Sequence, residues 1–126
     1  MLSEQILNLL RWKKLANKKS SNDLLHHVDQ INSSIHSPTR LKILIVLAAV
    51  VDADFSFLTR TTGLTRGNLS ANLRKLEEDG LVKIDKTFAG RVPRTLVELS
   101  DEGRTALKTY QKTMQPILNA LLETLG

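Results

Sequence analysis

At Gly80 the apolar period of this chain changes, and that change constrains the fold more than any other feature. Before it, Leu69, Leu73 and Leu76 recur at steps of four and three, the spacing of one helical face. After it, Val82, Ile84, Lys86 and Phe88 alternate as a strand does, and Thr95, Val97 and Leu99 repeat the alternation in a second run. Thr65 stands where an N-cap belongs and Gly80 just past the helix end, so a helix is expected over Arg66 to Asp79. The strands are expected over Leu81 to Phe88 and Arg94 to Leu99. Between them, Ala89-Gly90-Arg91-Val92-Pro93 supplies the turn residues of a hairpin tip, and Pro93 is expected outside the paired strand.

The elements upstream are helical. Leu2, Ile6, Leu9, Leu10 and Ala16 give an amphipathic helix over residues 3 to 19, with Ser3 as a possible cap and Arg11, Lys14 and Lys18 on its polar side. Lys19, Ser20, Ser21 and Asn22 read as a break. A second helix is expected from Asp23 to about Ile35, carrying Leu24, Leu25, Val28, Ile31 and Ile35. Ser37-Pro38 starts a third, Pro38 to about Val51, because Ser caps and Pro loses nothing at the first helical position. Leu41, Leu44, Ile45, Leu47 and Ala48 make it apolar on most sides, as a central core helix is. Asp52, Ala53 and Asp54 read as a loop, Asp54 caps a short helix from Phe55 to about Thr61, and Gly63 ends it. Ser100 caps a last helix, with Asp101 and Glu102 at its positive end. Its apolar stripe is Leu107, Tyr110, Met114, Ile117, Leu118, Leu121 and Leu125, near heptad spacing. Pro116 is expected to kink that helix or remove a backbone bond.

The order is therefore mainly α with a small β-hairpin: a winged helix-turn-helix with an extra N-terminal helix and a long C-terminal helix. The expected organisation is an N-terminal helical extension over residues 1–30, the winged helix-turn-helix over 31–100 and a dimerisation helix over 101–126.

Charge and composition narrow the function. With 126 residues there is room for one domain, and a formal charge of +5 favours anionic partners. The absence of cysteine excludes disulfides, thiolate metal sites and cysteine nucleophiles. The longest apolar run, Ile43 to Val51, is nine residues, about half a membrane crossing. Near the N-terminus Arg11, Lys13 and Lys14 follow the apolar stretch rather than precede it, the reverse of a secretory signal, so a cytoplasmic protein is expected. His26, His27 and His36 have no metal-ligand spacing, and no phosphate loop, dinucleotide fingerprint or nucleophile elbow occurs. No enzyme and no cofactor are expected.

The helix of Arg66 to Asp79 carries the candidate chemistry. With its leucines buried, Arg66, Gly67, Asn68, Ser70, Ala71, Arg74 and Lys75 face outward. A helix entering a DNA major groove needs slim side chains near the bases, hydrogen-bonding groups for their edges and cations for phosphates. The backbone N–H groups at the Thr65 end suit a phosphate. From Arg60 to Lys75 there are four cations and no acid. The plain alternative is a solvated helix face. The hairpin adds Lys83, Lys86, Arg91 and Arg94 against Asp85, with Arg91 at the tip, where it can reach a minor groove or act only as a charged edge. Phe88 is expected in the core. The last stripe is longer than a small domain can cover, so a second copy is the expected cover, with folding back on its own domain the alternative. Trp12 and its basic neighbours leave a membrane-surface reading open. The rival from another class is a protein-interaction module within a larger assembly, separated from DNA binding by whether the cations converge on one face.

Five stretches also carry a resemblance: Ile35–Leu44 (IHSPTRLKIL), Asp54–Leu58 (DFSFL), Leu64–Val82 (LTRGNLSANLRKLEEDGLV), Lys86–Thr95 (KTFAGRVPRT) and Leu99–Arg104 (LSDEGR). Over residues 31 to 113 the chain resembles a small winged-helix family of bacterial and archaeal transcription regulators related to the MarR and ArsR groups. GNLS and the KTFAGRVPRT hairpin are its specific parts. The resemblance implies a dimeric double-stranded-DNA-binding regulator with the last helix in the dimer contact. It places Arg66, Asn68, Ser70 and Ala71 toward DNA, with Arg91 and Arg94 flanking. Asn72 stands where ArsR-like sequences often have His, and Ala71 where a larger polar residue is common. The cysteine metal-sensing sites of ArsR-like relatives cannot exist here. The first 30 residues lie outside the resemblance. No residue advertises an effector.

Overall fold

A computed structural model describes the backbone of residues 3–18 and 21–126, and the side chains of all of these except 15–18, 21 and 22. Leu2, and Lys19 and Ser20 of the expected break, lie outside the described residues, as do the side chains of Ala16, Lys18, Ser21 and Asn22. The backbone of Ser21 and Asn22, expected in that break, is helical instead, so the second helix starts two residues before Asp23. The elements are α1 (Glu4–Lys18), α2 (Ser21–Asp29), α3 (Pro38–Ala48), β1 (Ala53–Asp54), α4 (Phe55–Thr62), α5 (Arg66–Glu78), β2 (Val82–Ala89), β3 (Val92–Leu99) and α6 (Asp101–Leu125). This is a winged helix-turn-helix architecture, mainly helical with a small antiparallel sheet. No helix of the described residues is long and apolar enough to cross a membrane.

The helix starts follow from the expected caps. Ser37, Asp54 and Thr65 accept from the backbone N–H groups of Arg40, Phe57 and Asn68 at 3.3, 2.7 and 3.1 Å. Ser3 receives Ile6 N–H at 3.2 Å and Ser100 receives Gly103 N–H at 2.8 Å. Gly63 closes α4 at φ +73°, a left-handed conformation that L side chains rarely adopt. α6 is continuous through Pro116.

Four local expectations are corrected. α2 ends at Asp29 rather than near Ile35, because the Asn32 side chain accepts from the backbone N–H groups of Ser34 and Ile35 and holds a turn there. α3 ends at Ala48 rather than Val51: its last carbonyls are closed by Ala49 and Val50, and Val51 is exposed. Ala53–Asp54 is not loop but a two-residue strand on β3, giving the order β1-β3-β2. Pro93 lies inside β3, opposite Phe88. It is tolerated because β1 reaches only Val97 and Leu96, so β3 has one neighbouring strand at that level.

Two compact units are described separately. Asn32–Lys108 forms one. Its core is Ile35, Ile43, Leu44, Leu47, Leu58, Leu69, Leu76 and Val97, all essentially inaccessible, with Leu73, Leu81 and Val82 beside them. Each of the three buried leucines of α5 contributes about 1.5–3 kcal/mol by leaving water, which fixes the helix's rotation. Ile45 and Ala48 of the predicted α3 stripe are exposed instead, and Ile43 takes the buried place.

The other unit comprises α1, α2 and Thr109–Gly126. None of its described side chains is fully buried. Leu107 of α6 lies in the first unit and is half-buried; Tyr110, Met114 and Ile117 are half-buried in the second. Leu118, Leu121 and Leu125 are exposed, as are Ile6, Leu9, Leu10, Leu25 and Val28.

The C-terminal end of α5 carries an acid-sensitive link. The Ser34 hydroxyl donates to Asp79, and Lys75 Nζ lies 3.3 Å from the same carboxylate. The Ser34 bond, aided by Lys75 and Arg40 and opposed by burial, holds this carboxyl below its ordinary value. A depressed carboxyl stabilises the fold above its unfolded value, about 3.9, and that stabilisation is lost as pH falls through the lower folded value. Ser34→Ala is therefore expected to lower urea-unfolding stability at neutral pH, with the difference from the parent shrinking as pH falls below about 4. A difference independent of pH would assign the loss to packing alone.

Candidate DNA interface

The leucines of α5 turn its other faces outward. Thr65, Arg66, Gly67, Asn68, Ser70, Ala71, Arg74 and Lys75 are all exposed. On the hairpin, Lys86, Arg91 and Arg94 are exposed too, with Arg91 in the turn beside Gly90, whose φ is +66°. Between α5 and the hairpin runs a groove. One stretch, about 700 Å³, is bounded by Arg66, Gly67 and Ser70 on α5, by Val92, Pro93 and Arg94 on β3, and by Asp54, Phe55 and Ser56 at the start of α4. A second, about 550 Å³, continues past Ser70, Arg74, Lys86 and Thr95 to Glu77. Arg66, Arg74, Lys86 and Arg94 are thus gathered along one groove.

Five predicted residues do not line it: Thr65, the cap of α5, Arg91, in the hairpin turn, and Lys75, Ala71 and Asn68. Lys75 is paired with Asp79 across one turn. Ala71 is exposed on α5 but does not line the groove. Asn68 makes a local network instead: its Oδ1 and backbone carbonyl accept from Asn72 Nδ2, at 2.5 and 2.9 Å. The Asn72 Oδ1 in turn accepts from Arg40 at 3.3 Å, and Arg40 also donates to the carbonyls of Ser33 and Ser34. Arg40 is therefore committed to holding the N-terminal turn of its unit against α5.

Phe88 contradicts its expected place. It is 68% exposed near the hairpin tip, opposite Pro93. The alternation that marks a strand identifies a face and not its burial: along this one Val82 is buried, Ile84 half-buried, and Lys86 and Phe88 exposed.

Two residues at the groove went unrecognised in the sequence. The Arg66 guanidinium lies 4.9 Å from the Phe55 ring centroid, a cation–π contact. Arg94 lies 3.5 Å from Asp54 Oδ2. Asp54 was legible only as a cap and Phe55 only as the first residue of a short helix. Among the described residues, no group of three His, Asp or Glu side chains is placed to hold a metal ion.

This arrangement agrees with comparisons to known proteins. Residues 39–118 match the family described as the winged helix DNA-binding domain. The chain belongs to that family. The uncharacterized protein MJ0432 of Methanocaldococcus jannaschii is 40% identical to it over 76 residues, 60% of this chain and 82% of that protein. A transcriptional regulator homologue from Pyrococcus horikoshii aligns with a TM-score of 0.70 at 34% identity, over 79% of this chain and 97% of that one. CouR, a transcriptional repressor solved on a 23-mer DNA duplex, aligns with a TM-score of 0.63 at 27% identity, over 83% of this chain and 72% of that one. Within the winged helix DNA-binding domain, α4 and α5 are the helix-turn-helix and β2–β3 the wing.

Proposed function

We propose that this chain binds duplex DNA with sequence preference, as a homodimer, and regulates transcription without covalent chemistry. The observation that carries the reading is the single groove that collects Arg66, Arg74, Lys86 and Arg94 beside the small polar face of α5. Of the five cations whose convergence separates DNA binding from the docking-module alternative, Arg66, Arg74 and Arg94 line this groove, while Arg91 stands in the hairpin turn and Lys75 pairs with Asp79. CouR's duplex-bound state and the regulator homologue of Pyrococcus horikoshii support the same reading.

In this proposal residues 31–100 read DNA, 101–126 dimerise and 1–30 extend the chain. Thr65, Arg74, Lys75, Lys86, Arg91 and Arg94 meet phosphates and give affinity; Arg66, Asn68, Ser70 and Ala71 face base edges and give preference. The second copy covers Leu118, Leu121 and Leu125, and places two recognition helices on one face of the duplex.

Selection of duplexes from a random pool at a stated salt concentration tests the whole. A two-fold symmetric motif is the expected result; equal retention of all sequences would overturn the sequence-reading part. Arg91→Ala is expected to weaken binding to most duplexes and to lower the slope of log affinity against log salt by about one. An unchanged slope would remove Arg91 from the phosphate contacts. Asn68→Ala is expected to alter the selected motif more than the affinity for bulk DNA, because its loss removes hydrogen-bonding capacity rather than charge. Uniform weakening would count against that role.

A further inference from the structure

The groove has a floor as well as two walls, and the floor is the junction between β1 and α4. Asp54 and Phe55 are consecutive there, and each engages an arginine from a different wall. Phe55 lies under the Arg66 guanidinium of α5, and Asp54 faces Arg94 of β3.

The junction is itself well fixed. Asp54 pairs with Leu96 across the sheet, and its Oδ1 accepts Phe57 N–H at 2.7 Å as the cap of α4. That leaves Oδ2 for Arg94, 3.5 Å away. One carboxylate thus does two separable jobs, a backbone cap through one oxygen and an ion pair through the other. Neither arginine is buried, so burial does not hold them in place.

We infer that Asp54 and Phe55 are positioning residues of the DNA site, holding Arg94 and Arg66 on opposite walls of one groove before DNA arrives. The inference rests on the DNA-binding reading and adds how that site discriminates. An arginine already ordered in its bound direction loses less freedom on binding, and the gain goes to the duplex whose acceptors lie in that direction. The Asp54 charge acts in the same sense. It draws Arg94 in one direction and repels phosphates that approach from elsewhere, so it lowers affinity for arbitrary DNA more than for a site whose phosphate meets Arg94 in that direction.

The two contacts can be removed without disturbing their neighbours. Asp54→Asn keeps a side-chain oxygen for the cap, which Asn fills as well as Asp, and loses the ion pair. Phe55→Leu keeps an apolar side chain and loses the ring; Phe55→Trp restores one. The first measurement needs no DNA: side-chain Nε–Hε relaxation and chemical shifts of Arg66 and Arg94 in free protein labelled at arginine. Ordered guanidinium groups are expected, with Arg66 showing the ring-current shift of a proton above an aromatic face. Phe55→Leu should abolish that shift and Phe55→Trp return it, with melting temperatures of the variants alongside. The second is affinity for the selected duplex and for random duplex. Phe55→Leu is expected to weaken the selected duplex roughly two- to fivefold, the size of an exposed cation–π contact, with less effect on random DNA. Asp54→Asn is expected to strengthen random DNA more than selected DNA. Mobile arginines in the free parent protein, or equal shifts on both duplexes, would overturn the positioning role. Ordered arginines in a protein that selects no duplex would overturn the DNA reading while leaving the contacts standing.

Discussion

Gly103→Ala is expected to cost about 3 kcal/mol or more of folding stability, at the upper end of overpacking effects. A Cβ at Gly103 would lie 2.0 Å from the Leu81 carbonyl oxygen and 2.8 Å from Leu99 Cδ1. The first of these is backbone, and it cannot yield cheaply, because that carbonyl accepts Ser100 N–H at 3.1 Å. Relief requires α6 to move off the sheet, which undoes the packing of Leu81 and Leu99. Gly67→Ala is the matched control. It also lies in a helix, but an added Cβ meets nothing within 4 Å, so the ordinary helix preference for Ala should stabilise by about 0.5–1 kcal/mol. Urea unfolding of the two variants without DNA measures both. Similar midpoints would refute the close approach at Gly103.

The second large effect concerns assembly. On the proposed dimer, replacing Leu118 and Leu121 together by Asp is expected to give a monomer and to weaken binding to a two-fold site by roughly a hundredfold or more, since two linked half-site contacts become one. Both leucines are half exposed in the single chain, so the monomer loses little by the change. Four new carboxylates in a symmetric contact would be prohibitive. Sedimentation of the protein alone and titration of the selected duplex read the two consequences separately. A variant that remains dimeric would place the contact elsewhere than on α6.

Much of this architecture was legible because it is local. A capping hydroxyl or carboxylate needs only its own following turn, so Ser37, Asp54, Thr65 and Ser100 could be read directly. Leu69, Leu73 and Leu76 fixed the outward face of α5 by spacing alone, and with it the exposed candidate residues. What the residues did not announce depends on partners far along the chain. β1 is two residues long, too short for any alternation, and exists because β3 offers Val97 and Leu96. The early end of α2 turns on one amide, Asn32, which competes with the helix for backbone donors. The floor of the groove joins Phe55 to Arg66 and Asp54 to Arg94, and no period or motif links those pairs. Gly103 looks like an unfavourable helix residue until the Leu81 carbonyl is seen against it.

Ser100 has a mechanical consequence. Its hydroxyl accepts from Gly103 at the start of α6 and donates to the carbonyl of Gly80, just past the end of α5, at 2.5 Å. No compliant tether separates the two helices at that point. A displacement at the start of α6 is therefore passed to the end of α5 by two adjacent links from one residue, the Ser100 hydroxyl on the Gly80 carbonyl and the Ser100 N–H on the Leu81 carbonyl.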